Sequence, residues 1–331
     1  MSVYKFFLPV RTAIVFILST TSILIVNGAI AETVIETYVE KSENISLYRE
    51  QLQTLELELG HYSYQLIEPL QQLANAQINA NRFSDAEAIF DRAAHITRIE
   101  DGLYTPLQYP FLQQEIEMQM ARGDWDEVNE HVEHYAWLIG EKFQGVASDR
   151  LERMRWMAAV HGRGSEEDKK DNTARHLIRS TSLNELAVQY AQLNRIARDT
   201  NYAELLLELA KAYGKEVAAI RDGGSTSYRL RIIVPGLDIL EDKKEAVEKR
   251  YLIGLEKLEM RRDLLAELAA DDHSMLAEAE LVLARWHESF GKSEASKVHA
   301  QRAENLLTAK DSPASALLVL YPEAQQHQGA D

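Results

Sequence analysis

The sequence predicts an all-α protein in which antiparallel helical hairpins stack into an α-solenoid. Three observations predict it. Between Ile67 and Ile96 (IEPLQQLANAQINANRFSDAEAIFDRAAHI) apolar residues recur at the three-and-four spacing of helices buried along one face: Leu70, Leu73, Ala74 and Ile78, then Ala86, Ile89, Phe90 and Ala93. Small residues stand where the two backbones must approach. The wording of the turn also returns, since Gly123-Asp124-Trp125-Asp126-Glu127-Val128 repeats Asn81-Arg82-Phe83-Ser84-Asp85-Ala86, with Trp125 placed 42 residues after Phe83.

At the N-terminus, Lys5 and Arg11 precede an apolar run from Ala13 to Val26 and the small-residue stretch Ala29-Ile30-Ala31. This is the pattern of an export signal over residues 1–31, cleaved after Ala31. The rival reading is an uncleaved anchor. Ser19, Thr20, Thr21 and Ser22 interrupt the run, which falls short of the ~20 apolar residues of a spanning helix. The chain has no cysteine, which closes the lipoprotein route, disulfides and thiolate metal sites. Export without disulfides fits a bacterial periplasm; secretion, or association with the outer membrane, are the other placements. Without residues 1–31 the chain keeps 34 basic and all 52 acidic residues, a net charge of −18. Such a surface repels phosphate backbones and anionic lipid, so nucleic acid is an unfavoured partner and solubility is the plain role of the charge. No stable membrane span is expected after cleavage.

Residues 32–59 are helix-forming, with Leu47, Leu52, Leu55 and Leu59 as an apolar stripe that covers the open end of the first hairpin. Gly60 ends it. In the first hairpin, Asn79-Ala80-Asn81-Arg82 breaks the pattern, Phe83 fills the corner and the Ser84 hydroxyl is placed to cap the second helix. Asp101-Gly102, Pro106 and Pro110 mark a loop. Phe111 to Arg122 is the next helix, with Leu112, Ile116 and Met120 inward. Asp124 can cap the helix after it, which buries Trp125, Val128, Val132, Tyr135 and Leu138.

A helix from Leu151 to Val160 is expected to stop at Gly162-Arg163-Gly164, and the charged run Gly164 to Asp171 to act as a hinge. The resulting division is 1–31 signal, 32–162 N-terminal repeats with their cap, 163–310 C-terminal degenerate hairpins and a 311–331 tail. Leu183 to Ala197 (Leu186, Tyr190, Leu193 and Ala197 inward) and Tyr202 to Ile220 (Leu205, Leu206, Leu209, Tyr213) read as a degenerate hairpin around Thr200-Asn201. Gly223-Gly224-Ser225 interrupts the helices. Tyr228 to Val234 has strand-like composition, but with no partner strand in sight it reads as an extended connector before Pro235-Gly236. Glu241 to Ala270 is a long helical tract, either unbroken or broken near Gly254. A third hairpin follows in MLAEAELVLARWHESF, with Leu283-Ala284, Gly291-Lys292 and Ala303. Pro313 ends the array, Ala314 to Leu320 is a last apolar segment, and the tail from Glu323 is loose.

These residues resemble the tetratricopeptide repeat (TPR). Leu70 stands at its first large position, Leu73-Ala74 at its Leu-Gly pair, and Ala86 and Phe90 keep its four-residue spacing, with Ala93 three further on. Gln77 replaces the aromatic and the closing proline is missing; Ser296 and Ala300 depart from the pattern in the third copy. A 42-residue spacing exceeds the about 34 of the simplest repeat and is similar to the longer repeats of the kinesin-light-chain type. The order of the segments also resembles uncharacterised exported TPR proteins of Gram-negative bacteria. The resemblance implies a right-handed α-solenoid that mediates protein–protein interaction without catalysis.

In such repeats the first helix of each hairpin lines a surface that holds peptides. The candidate partner-binding positions are then Glu68, Gln71, Asn75 and Asn79 in the first copy, Gln113 and Glu117, with Gln114 beside them, in the second, and Arg285 and Glu288 in the third. Asn75 matches the asparagine with which these repeats hold a peptide backbone. The basic residues of carboxylate-clamping members are missing around Gln71, so a neutral or basic segment suits this face. The plainer reading is that these positions are ordinary solvated ones.

For chemistry, one cluster stands out. His131 and His134 in Glu130-His131-Val132-Glu133-His134 lie three apart and can face one metal ion on a helix. The spacing is not the H-E-x-x-H of a metalloprotease, and no third ligand is legible. Nucleophile-elbow, Walker and dinucleotide motifs are absent from the sequence, and Gly223-Gly224-Ser225-Thr226 follows a helix rather than a strand. The expectation is a protein partner in the cell envelope, no cofactor and no enzyme activity, with a metal-binding or hydrolytic envelope protein as the alternative.

Overall fold

The computed structural model describes residues 44–308, apart from 144, 170, 232, 235–238 and 269–271. The expected signal, the segment 32–43, Pro235-Gly236 and the C-terminal segments from Pro313 lie outside the described residues. The fold is all-α. A helix over 44–59 (α1) is followed by α2 (Ile67–Asn79), α3 (Phe83–Asp101), α4 (Tyr109–Arg122) and α5 (Trp125–Trp137), the last continued by a wider turn over Leu138–Lys142. Then come α6 (Ala147–Glu167), α7 (Thr173–Leu193), α8 (Thr200–Asp222), the short α9 (Gly224–Leu230), α10 (Lys243–Leu268), α11 (His273–Ser289) and α12 (Ser293–Thr308). The chain divides within α5 into two compact units, residues 1–131 and 132–331.

In the first unit the hairpin α2–α3 is built as the periodicity requires. Leu70, Leu73 and Ala74 of α2 are buried against Ala86, Phe90 and Ala93 of α3, with Ile78 and Ile89 at the rim. α1 packs on this hairpin, but through Ile45, Tyr48, Leu52 and Leu55. Leu47 and Leu59, expected on that stripe, point away from it and are exposed. Ser84 does not cap α3, which already begins at Phe83 with Arg82 as its N-cap and no side-chain cap bond. Pro110 is no loop residue. It sits in the first turn of α4, where its missing N–H costs no helical bond.

The second unit corrects more of the reading. α6 runs unbroken through Gly162-Arg163-Gly164 to Glu167, so the expected boundary at 162/163 falls inside a helix. Gly164 is there for space: a β-carbon on it would run into the imidazole of His176 on α7. α10 is likewise continuous through Gly254, where a β-carbon would meet the indole of Trp286 from α11. α6 packs along α7, α8 along α10 and α11 along α12. α7 and α8 also touch, but their turn lies at Asn194-Arg195 rather than Thr200-Asn201, and Asp199 caps α8 by accepting the Tyr202 N–H at 3.1 Å.

α7 begins ten residues before the expected Leu183 and buries a different face. Leu177, Thr181, Asn184, Val188 and Ala191 point inward, whereas Leu186 (51 %) and Leu193 (82 %) are exposed. Tyr190 is half-buried and Ala197 lies exposed beyond the helix end. Two of the inward polar groups are matched, since Ser180 Oγ donates to the Ala158 carbonyl at 2.9 Å and Asn184 Nδ2 to the Ser180 carbonyl at 3.0 Å, whereas the buried Thr181 hydroxyl has no partner among the described residues. Tyr228 to Leu230 belong to α9. Ile233–Val234 (β1) does find a partner, pairing antiparallel with Ile239–Leu240 (β2) in a two-residue ladder.

Three buried or half-buried cations tie helices of this unit that lie far apart in sequence. Arg250 of α10 bonds Glu216 of α8 at 2.5 Å and the Leu230 carbonyl at 2.7 Å. Arg155 of α6 forms a two-pronged pair with Glu208 of α8 at 3.0 and 2.7 Å. Arg261 reaches Glu204 at 3.3 Å and Glu278 at 3.4 Å. Removing one partner of the buried Arg250–Glu216 pair costs more than the pair contributes, because it strands the other charge.

Candidate functional site

The hairpin turns place the candidate residues in one register. Each first helix of the three recognised copies ends with a residue in the left-handed region, Asn81 (φ 59), Gly123 (φ 75) and Gly291 (φ 68). The residue after it donates its N–H back to a carbonyl five positions earlier: Arg82 to Gln77 at 2.8 Å, Asp124 to Gln119 at 3.0 Å and Lys292 to His287 at 2.9 Å. This closure satisfies the orphan carbonyls of a helix end and needs a positive φ, which glycine or asparagine adopts most cheaply. Counted back from those carbonyls, Asn75, Glu117 and Arg285 share one position, and Gln71 and Gln113 share another.

All of the predicted partner-binding side chains lie at or near the surface. On α2, Glu68, Asn75 and Asn79 are exposed and Gln71 half-buried, forming one strip; Gln72 Nε2 donates to Glu68 at 3.4 Å. On α4, Gln113 and Gln114 are half-buried and Glu117 exposed. Arg285 and Glu288 are exposed on α11, which belongs to the second unit. Leu281, partly buried, stands where the first two copies have Gln71 and Gln113, so the third copy lacks that glutamine.

His131 and His134 do not converge. His131 Nδ1 lies 3.5 Å from Glu115 and its Nε2 3.6 Å from Glu127, so both ring nitrogens face carboxylates. His134 is exposed and stacks on Trp137 with centroids 6.1 Å apart. Glu115 takes the buried position that Leu73 fills in the first copy. Burial pushes its carboxyl above the usual carboxylate range, opposed by His131. The pair is a polar substitute within the hairpin core. Among the described residues no group of three or more histidine, aspartate and glutamate side chains is arranged to hold a metal ion.

Sequence reasoning missed two buried histidine clusters. Between α6 and α7, His161 Nδ1 lies 3.1 Å from His176 Nδ1, and His176 Nε2 lies 3.2 Å from Asp168, which also accepts from Asn172 at 3.0 Å. Burial, aided by the neighbouring His176, pushes His161 down to about 3. At the last hairpin, the Tyr251 hydroxyl lies 2.9 Å from His287 Nδ1, His287 stacks on His299 at 5.1 Å, and His299 Nδ1 lies 2.6 Å from Glu280. The available signal was the pair of mid-helix glycines, Gly164 and Gly254. Gly164 makes room for the His176 ring of the first cluster, and Gly254 for Trp286, which bonds the Tyr251 carbonyl beside the second.

The hairpins, their left-handed closures and the small residues between helices define the fold as that of the TPR-type solenoids. No protein-family model and no curated protein sequence matches the chain. Among solved structures, nearly identical TPR-like repeats of kinesin-light-chain type from Podosopora anserina superpose with a TM-score of 0.50. Identity is 12 %, and the match covers 74 % of this chain and 96 % of that one. BtubC (BKLC) from P. vanneervenii aligns at 13 % identity over 82 % of this chain and 89 % of its own, with a TM-score of 0.49.

Proposed function

We propose that the protein is an exported, non-catalytic scaffold that holds another protein of the cell envelope through the solvent faces of its first helices. The observation that carries this reading is the register of the turns. It sets Gln71 with Gln113, and Asn75 with Glu117 and Arg285, at matching exposed or half-exposed positions while small residues close the hairpin behind them. Polar side chains spaced in this way on successive helices suit hydrogen bonding to an extended peptide backbone. Export rests on the residues 1–31 pattern and on the cysteine-free composition. We favour this reading over the alternative centred on His131 and His134, since His131 lies against Glu115 and Glu127 while His134 stacks on Trp137.

The test is proximity capture in the cell envelope with the double variant Gln71→Ala, Asn75→Ala. A partner cross-linked to the wild type should be recovered several-fold less well, with the helical circular dichroism unchanged. Equal recovery would remove these side chains from the binding face. Protein that retains residues 1–31 and fractionates with the cytoplasm would remove the envelope.

A further inference from the structure

α7 carries a second surface, on the side turned away from α6 and α8. Its inward face is taken by Leu177, Thr181, Asn184, Val188 and Ala191, which leaves Ile178 (42 % exposed), Leu186 (51 %) and Leu193 (82 %) along the outside. Three large aliphatic side chains on one helix face, spaced by eight and seven residues, form a line about four turns long. Large aliphatic side chains aligned along one exposed helix face offer apolar contacts to a partner.

The charge around the stripe is the reverse of the chain's own. The protein has a formal net charge of −16, yet Thr173–Leu193 holds a single acidic residue, Glu185, and that carboxylate accepts the Tyr213 hydroxyl on α8. Arg175 and Arg179 stand at the start of the stripe, sharing Glu133. Arg195 and Arg198 stand at its end, exposed, and neither guanidinium has a hydrogen bond or an ion pair among the described residues. Arg195 is held in the left-handed region (φ 52) by the Ile196 N–H to Ala191 carbonyl closure at 3.0 Å, which fixes where its side chain starts.

Both arginines line a cleft of about 480 Å³ at the α7–α8 turn, walled by Ile196 and Met260 and backed by the Gln192–Tyr202 hydrogen bond at 3.0 Å. Two guanidiniums without a partner carboxylate, beside an apolar wall, fit a carboxylate carried next to aliphatic side chains. An anionic bilayer matches this patch less well than a single segment does. The whole chain's negative charge opposes approach to an extended anionic plane, while a short segment feels mainly the local field.

We propose that the outer face of α7 docks an acidic amphipathic helix of a partner protein, its aliphatic side chains on Ile178, Leu186 and Leu193 and a carboxylate on Arg195 and Arg198. This surface is separate from the first-helix faces and does not depend on their reading.

The probe is a fluorescein-labelled 16-residue peptide of leucine and glutamate, with leucines at three-and-four spacing, titrated by anisotropy into the purified protein. Its counterpart has lysine for glutamate. The acidic peptide should bind and the lysine peptide should not, with affinity falling as salt rises. Arg195→Glu with Arg198→Glu should weaken binding at least tenfold, as should Leu186→Ser with Leu193→Ser, each with unchanged circular dichroism. Gln71→Ala with Asn75→Ala should leave it unaltered. Failure of the acidic peptide to bind, equal binding of the lysine peptide, or indifference to both double variants would overturn the assignment. So would finding that the leucine substitutions abolish only self-association in sedimentation, or only binding to phosphatidylglycerol vesicles.

Discussion

Gly254 shows how much of this fold turns on single atoms. A glycine in mid-helix ordinarily costs ~0.5–1 kcal/mol relative to alanine, so replacing it should stabilise an exposed helix. Here the added methyl would enter the space of the Trp286 ring, which is itself fixed by donating Nε1–H to the Tyr251 carbonyl at 3.2 Å. We therefore expect Gly254→Ala to destabilise the protein by ~1–3 kcal/mol, the usual cost of overpacking. A urea midpoint that rises instead would show that the indole yields. The same reasoning explains why Gly162 and Gly164 misled the sequence reading. Glycines in a charged stretch look like a stop signal, and only the imidazole across the interface shows that Gly164 is a clearance.

At the scale of the element, the left-handed closures decide where helices end. Asn81, Gly123 and Gly291 were recognisable from residue type, since asparagine and glycine are the residues that accept a positive φ. Arg195 was not, and the α7–α8 turn was placed six residues too late. α7 also illustrates a face misassigned for a physical reason. Carbonyl partners for the polar Ser180 and Asn184 allow these residues to turn inward, and Leu186 and Leu193, expected inside, are left outside. The first hairpin holds no such ambiguity. Ala86 is fully buried against α2, so Ala86→Leu should cost ~1–3 kcal/mol by wedging the pair apart. A thermal midpoint equal to the wild type would argue against the close approach of α2 and α3.

For the whole molecule, acid is the informative stress. His161 is pushed down to about 3 in the folded chain, while its ordinary value is 6.5. Between those two values the unfolded chain binds a proton that the folded chain refuses. Stability from this residue is therefore complete above pH 6.5 and lost as the pH falls toward 3, at up to about 1.4 kcal/mol per pH unit. His176, lowered by its burial against the opposing pull of the Asp168 carboxylate, adds to the same slope. Measured by urea unfolding from pH 7 to pH 4, His161→Gln should show a flatter dependence than the wild type. An unchanged slope would mean that the imidazole is solvated or already protonated.

How much was legible follows from how local each decision was. Helical periodicity, the small residues at Ala74, Ala86 and Ala93, and the turn residues Asn81, Gly123 and Gly291 are encoded within a few positions of one another. The sequence alone therefore determined the all-α hairpin architecture and the shared register of Gln71 with Gln113 and of Asn75 with Glu117. The tertiary structure alone decided which face of α7 turns inward, that α6 and α10 run through their glycines, and that His161 meets His176. Those outcomes depend on ring volumes and hydrogen-bond partners supplied by helices 15 to 32 residues away, as in His161 to His176 and Gly254 to Trp286, and no periodicity within one helix reports what its neighbour presents.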